Sequence, residues 1–349
     1  MRRRRLGRTG LELPVVSFGA WAVGGWQWGG ADDEKAVRAI QAAIDCGMDA
    51  IDTAPVYGFG HSERVVGRAI AGRRDRVLVM TKIGLRWDDT RGPLAFQTKD
   101  PQGRPLPIHN NLRPWSVAWE VERSLERLGI ETIDLLQVHW PDPATPIEVT
   151  MGALLDLRRA GKIREIGVSN FSVEQMKEAR RALGEVPLAS DQSKYNLLDR
   201  SIEREILPWA REQEIGVLVY SPIEQGLLTG TVPADRIFPS GDGRSTRRTF
   251  APELRARVNE ALERVARPIA ARHGATVAQV AIAWTIAQPG VTSALVGART
   301  EEQVRENAAA GELALEPGEI LALAAAFEGI LPAGRSAGLR GFLRRILPR

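Results

Sequence analysis

The sequence predicts a single closed barrel of eight alternating β-strands and α-helices, a (β/α)8 TIM-type α/β fold, and three observations carry that expectation. Eight short, apolar, β-branched runs alternate with amphipathic helical stretches along the 349-residue chain. Runs this apolar suit parallel strands buried on both faces, which need helical crossovers. The runs end near residues 18, 52, 82, 139, 169, 193, 221 and 296, and most of the spacings match one βα unit of about thirty residues. A doubly wound open sheet is the alternative, but no Gly-x-Gly-x-x-Gly follows the first run.

The elements follow in order. Residues 4–16 alternate around Thr9-Gly10 and predict a hairpin plugging the N-terminal end of the barrel. Strands are expected at 15–18, 50–52, 77–82, 133–139, 163–169, 189–193, 216–221 and 292–296. Helices are expected at 34–46, 115–128, 146–160, 173–183 and 277–287. Two connections are oversized. Residues 85–112, rich in Pro, Gly, Asp and Asn, follow the third strand, and residues 222–252 follow the seventh, with an extra helix to His273. Both read as long irregular loops on the C-terminal face, where barrel enzymes keep their active sites. Thr300 stands as an N-cap after strand eight, with Gln303 three residues on as in a capping box. Residues 1–334 read as one domain and 335–349 as a basic amphipathic tail, with Leu339, Phe342, Leu343, Ile346 and Leu347 at helical spacing among arginines.

Composition bounds the function. Hydrophobic residues at 44% and charged residues at 26% are ordinary for a globular chain. No apolar run approaches the ~20 residues of a membrane span, and no apolar signal core follows the N-terminal arginines. Net charge is +4, but nine arginines at the two ends supply more than that. Residues 6–334 hold 38 basic against 43 acidic residues, a net −5, so the body lacks the basic face of a nucleic-acid binder. Cys46 is the only cysteine, which excludes an intrachain disulfide and a cysteine metal cage and makes the cytoplasm the default location. Its apolar helical surroundings read as those of a small buried hydrophobe.

Four polar residues stand where barrel logic looks for catalysts. Asp52 ends the second strand, Tyr57 follows in its loop, Lys82 ends the third strand, and His139 ends the fourth. Singly, each has a structural use as helix cap, rim cation, loop packing or hydrogen-bonded histidine. Together they suit carbonyl reduction, which needs a hydride at carbon and a proton at oxygen. Tyrosine is a reluctant acid, and a neighbouring ammonium lowers its pKa, so Lys82 would ease proton donation from Tyr57. Asp52 would hold Lys82, and His139 would orient the carbonyl and stabilise its oxygen. A metal site lacks a third ligand at any recognisable spacing.

The run from Asp52 through Ala54, Tyr57, Gly58, Gly60, Ser62 and Glu63 to Gly67 resembles the first signature of the aldo-keto reductase superfamily. Leu155 with Arg164 to Phe171 resembles its second signature. Thr81-Lys82 and Val138-His139-Trp140-Pro141 resemble the segments carrying the family's lysine and histidine. Lys194 to Leu198 and Gly226 to Gly230 resemble the bacterial inositol-operon and general-stress branch. The resemblance covers residues 6–307 and implies a barrel that reduces aldehydes and ketones with NADPH. It also implies Tyr57 as acid, Lys82 and Asp52 as its tuning pair, and His139 as orienting group.

The implied cofactor residues, besides Asp52, are Gly19, Ala20 and Trp21 after strand one, and Ser169, Asn170 and Gln192 for the nicotinamide carboxamide. Tyr220 resembles the residue stacking on the ring. Ser221, Pro222, Gln225, Gly226 and Leu227 open the loop over the pyrophosphate, and Gly297, Arg299, Gln303 and Asn307 hold the far end near a helix N-terminus. Branch members often carry lysine where this chain has Thr231. The resemblance implies a substrate pocket of Trp21 and Trp140 beside Tyr57 and His139, with Trp87 and Phe96 of the first insertion as further lining candidates; Trp26 and Trp28 fit either rim or packing. The expected partner is a small carbonyl or sugar, with no nucleic acid, and the chain is compatible with a homo-oligomer. Two alternatives stay open: an NADP(H)-sensing regulatory subunit like those of potassium channels, and a sugar-oxidising enzyme that retains NADP.

Overall fold

The computed structural model describes residues 1–331, so the tail expected at 335–349 lies outside the described residues. Eight strands close into a barrel: β1 (Val16–Gly19), β2 (Ala50–Asp52), β3 (Leu78–Ile83), β4 (Ile133–Val138), β5 (Ile163–Ser169), β6 (Leu188–Lys194), β7 (Gly216–Tyr220) and β8 (Val291–Val296). Every neighbouring pair is parallel, including β8 with β1. The crossovers are α1 (Asp33–Asp45), α2 (His61–Ile70), α3 (Pro114–Leu128), α4 (Ile147–Arg159), α5 (Val173–Leu183), α6 (Ile206–Glu212), then α7 (Pro252–Ala261), α8 (Arg267–Arg272) and α9 (Val277–Ala287) before β8. Helices α10 (Glu301–Ala309) and α11 (Pro317–Phe327) complete the shell. This is the predicted barrel.

Local chemistry sets the boundaries. Pro114 opens α3 and Gly129, at φ 65°, closes it. Ser172 with Gln175 and Thr276 with Gln279 form reciprocal capping boxes at the starts of α5 and α9. Helix α9 is buried almost all round, and its Trp284 stacks on Tyr195 at 5.6 Å. The register puts the expected site residues side by side: Gly19 pairs with Asp52, Lys82 with Gln137, and Ser169 with Gln192.

The N-terminal hairpin, Arg3–Arg5 against Glu12–Pro14, plugs the bottom as expected. Leu6, Leu11 and Leu13 fill the end of the barrel against Ala50, Met80, Leu135, Ala189, Leu218 and Leu295. The N-terminal arginines are not a loose basic end, because carbonyls and a carboxylate consume them. Arg2 donates to Gly311 O at 2.7 Å, Arg3 pairs with Asp49 at 2.8 Å, and Arg4 donates to Ile286 O at 2.9 Å. Cys46 also differs from expectation. It caps the C-terminus of α1 and packs against the core, but only half-buried.

The insertion after β3 is more regular than its Pro and Gly content suggested. Leu85–Arg86, Leu94–Lys99 and Pro105–Asn110 form a three-stranded antiparallel sheet, with Pro105–Asn110 in the middle. The Asp100 carboxylate closes its turn by accepting the amides of Gln102 and Arg104. At the root of this insertion, buried Glu120 of α3 accepts the Gly84 amide at 3.1 Å, and burial pushes its carboxyl up to about 8. The insertion after β7 is a set of short 3-10 turns followed by helical chain to Arg272. Its Gly243 donates its amide to Gln27 O at 3.0 Å, tying it to the loop after β1.

Candidate active site

The ends of β2, β3 and β4, with the loop after β2, bring Asp52, Tyr57, Lys82 and His139 to one mouth of the barrel. Lys82 is fully buried and donates to Asp52 Oδ2 at 2.6 Å and to Thr53 O at 2.9 Å. Its ammonium lies 5.1 Å from the centroid of the Tyr57 ring. Burial alone would strip that charge, but Asp52 and Tyr57 outweigh burial and hold the ammonium above its ordinary pKa. The His139 ring stands edge-on to Tyr57 with centroids 5.8 Å apart. Burial first, and Lys82 second, push its pKa well down, so the imidazole is neutral at neutral pH.

Tyr57 departs from expectation in one respect. Lys82 pulls its pKa down, but burial pulls harder and Asp52 adds to it, so the net shift is upward. The phenol therefore keeps its proton through neutral and mildly alkaline pH. Its loop is sterically fixed. Gly58 sits at φ 66°, and a Cβ there would stand 2.2 Å from Gly24 O on the loop after β1.

A cavity of about 530 Å³ runs from this cluster toward α10. Its walls include Gly19, Trp21, Asp52, Tyr57, His139, Trp140, Ser169, Asn170, Gln192, Tyr220, Ser221, Pro222, Gln225, Gly226, Gly297, Arg299, Gln303 and Asn307. Three expected residues lie elsewhere. Ala20 is buried, where its amide donates to Asp52 O at 2.8 Å and its carbonyl accepts from Ser62. Leu227 points into the core, because the left-handed turn at Gln225 and Gly226 faces the next side chain inward. Trp87 stands one layer back, against Phe59 at 5.9 Å and under Arg127.

Trp26 and Trp28 both line the cavity, as does Phe96 from the inserted sheet. Trp26 stacks on Phe96 at 6.2 Å and donates its indole N–H to Thr98 at 3.0 Å, pinning the loop after β1 to that sheet. Trp28 meets Trp21 edge-on at 5.6 Å. Arg299 reaches across the cavity mouth to the Trp28 carbonyl. Thr300 caps α10 as predicted, whereas the Gln303 side chain accepts the Arg299 amide at 2.8 Å instead of the Thr300 amide.

Gln27, Arg236 and Arg244 also line the cavity, and sequence reasoning missed them. Arg236 donates to the carbonyl of Thr231 at 3.4 Å, which puts a guanidinium where the branch lysine is absent. Gln137 was missed too, although an amide inside the apolar run of β4 was its signal. It donates to Asp52 Oδ1 at 3.2 Å.

The donor set fits a nicotinamide dinucleotide. At one end Asn170, left-handed at φ 62°, accepts from Tyr220 at 2.9 Å and donates to His139 O at 3.0 Å. In the middle, a Cβ on Gly226 would meet only Arg244, at 3.8 Å, and the buried Gln225 Oε1 has no hydrogen-bond partner among the described residues. At the other end stand Arg299, Gln303 and Asn307. Among the described residues no group of three His, Cys, Asp or Glu could hold a metal ion, and no helix is long and apolar enough to cross a membrane.

Comparison with known proteins agrees with this geometry. Residues 15–328 match the model of the aldo/keto reductase family. The chain is 39% identical over 298 residues to the aldo-keto reductase YhdN of Bacillus subtilis, covering 85% of this chain and 84% of that protein. It is 40% identical over 316 residues to the NADH-specific methylglyoxal reductase of Escherichia coli, covering 89% and 93%. Among solved structures, the glycerol dehydrogenase AKR11B4 of Gluconobacter oxydans superposes with a TM-score of 0.83 at 39% identity, over 95% of this chain and 97% of that one.

Proposed function

The chain belongs to the aldo/keto reductase family, and we propose that it reduces small aldehydes or ketones with NADPH, Tyr57 giving the proton. The observation that carries this reading is the buried Lys82–Asp52 pair at 2.6 Å set behind a protonated Tyr57. When bound, the reduced nicotinamide supplies the hydride. The protein's own groups do the rest. Tyr57 donates its phenolic proton to the substrate oxygen and leaves a phenolate that the Lys82 ammonium stabilises. Neutral His139 offers the same oxygen a hydrogen bond without competing as an acid. Trp21, Trp26, Trp28, Phe96 and Trp140 exclude water and give the substrate an apolar bed.

Asn170, Ser169 and Gln192 would hold the carboxamide, and Tyr220 the ring face. The preference for NADPH rests on Arg299, with Arg244 and Arg236 nearby, since a guanidinium gains from a 2′-phosphate and not from a hydroxyl. The relative named for NADH specificity makes this the sharpest point to test. A second reading, oxidation of a polyol, is favoured by the glycerol dehydrogenase neighbour. Initial rates at 340 nm with both cofactors, over a panel of carbonyls and polyols, test both readings. Turnover of carbonyls, faster with NADPH at subsaturating cofactor, is expected. Cofactor binding without turnover of any substrate would instead favour a redox-sensing subunit.

A further inference from the structure

Gln137 is fully buried in a strand whose other buried side chains are the apolar Ile133, Leu135, Leu136 and Val138 and Asp134, whose charge is paired with Arg74 and Arg164. A buried amide costs free energy unless its hydrogen bonds are made, so packing alone would favour leucine here. Its bonds are specific. Asp52 Oδ1 accepts from Gln192 Nε2 at 2.9 Å and from Gln137 Nε2 at 3.2 Å, while Oδ2 accepts from Lys82. The carboxylate of an ion pair only accepts, so both glutamines must turn their NH2 groups toward it. The second amide proton of Gln192 goes to Gln137 Oε1 at 3.2 Å. Both donors of Gln192 are thus consumed within the barrel. Its Oε1 receives no hydrogen bond among the described residues, and Gln192 lines the cavity.

We propose that Gln137 is a positioning residue that locks the amide plane of Gln192, so that the nicotinamide end of the cavity presents a fixed acceptor for the NH2 of the cofactor's carboxamide. The inference rests on the cofactor reading above. The same ring of bonds, Gln192 to Gln137 to Asp52, ties that acceptor to the carboxylate holding Lys82 behind Tyr57. Without Gln137 the Gln192 amide would keep one tether instead of two and swing about it.

The test is titration of the full-length protein, by tryptophan fluorescence, with NADP+ and with its 3-acetylpyridine analogue, in which a methyl replaces the NH2. The wild type should prefer the carboxamide by about 2- to 12-fold, the worth of one neutral hydrogen bond. Gln137→Met keeps the volume and removes both bonds, and its preference should fall below about 2-fold. An unchanged preference in that variant, whatever its kcat, overturns the proposal. Should it fail to fold, Gln137→Leu, which fits the apolar packing of the strand and also lacks both hydrogen-bonding groups, answers in its place. A preference in Gln137→Leu equal to that of the wild type overturns the proposal. Failure of the wild type to bind either dinucleotide would contradict the cofactor reading, whereas equal binding of the two would contradict the role of Gln137 alone.

Discussion

Replacing Lys82 with methionine separates what the buried ion pair does for stability from what it does for the reaction. Lys82 and Asp52 are 0% and 3% exposed and 2.6 Å apart, so no solvent screens either charge. Removing one member of a buried pair typically costs ~3–5 kcal/mol, because the other charge stays buried and uncompensated. Asp52 would still accept from Gln137 and Gln192, which places the loss at the lower end, about 3 kcal/mol. That is a large share of the ~5–15 kcal/mol of a typical fold, yet the protein should remain folded. The reaction suffers separately. Burial and Asp52 already raise the Tyr57 pKa, and losing the only group that opposes them should lower kcat by about 10²- to 10⁴-fold. Urea unfolding followed by tryptophan fluorescence measures the first effect and NADPH oxidation the second. Adding Asp52→Asn to Lys82→Met removes the stranded charge. Stability should then largely return while kcat does not. A single variant with an unchanged urea midpoint and kcat within 10-fold of wild type would refute this reasoning.

Gly58→Ala should abolish most turnover, since the added Cβ would sit 2.2 Å from Gly24 O at a positive φ and must displace the loop carrying Tyr57; full activity would show that the loop yields. Glu120→Gln should flatten the dependence of stability on pH. The native pKa, raised to about 8 by burial, means that Glu120 favours folding below its unfolded value and that this contribution is lost as pH rises from about 4.5 toward 8. Urea midpoints at pH 5 and pH 8 should therefore differ less in the variant than in the wild type, and an equal difference would count against a protonated native Glu120. Arg299→Ala should weaken NADPH binding by about 10- to 150-fold and NADH binding far less, as measured by fluorescence titration at fixed ionic strength. Equal losses would mean that Arg299 acts only through its bond to the Trp28 carbonyl.

The barrel was legible because buried parallel strands read as unbroken apolar runs, and β2 and β5 fall at the expected residues. The meeting of Asp52, Lys82 and His139 was legible because barrel topology sends strand ends to one mouth, so all three could be placed from strand boundaries alone. What escaped depends on contacts between distant parts of the chain. Arg244 and Arg236 are two arginines among many, and nothing local says that their loop folds back beside Gln27 and Trp28, more than 200 residues earlier. The inserted sheet was masked by its Pro and Gly and by a bulge between Leu94 and Phe96, which breaks the alternation of that strand. Leu227 read as groove because its neighbours are groove, and only the backbone turn at Gln225 and Gly226 reverses it. The net pKa of Tyr57 required its burial, which no motif states.

The central claim is that Tyr57 is the acid of a carbonyl reduction performed in this cavity. Tyr57→Phe keeps the ring against Trp21 and His139 and removes only the hydroxyl. Measured side by side with the wild type, carbonyl-dependent NADPH oxidation should fall by at least about 10²-fold while the Kd for NADPH stays within about 2-fold. Turnover like that of the wild type in this variant would contradict the account.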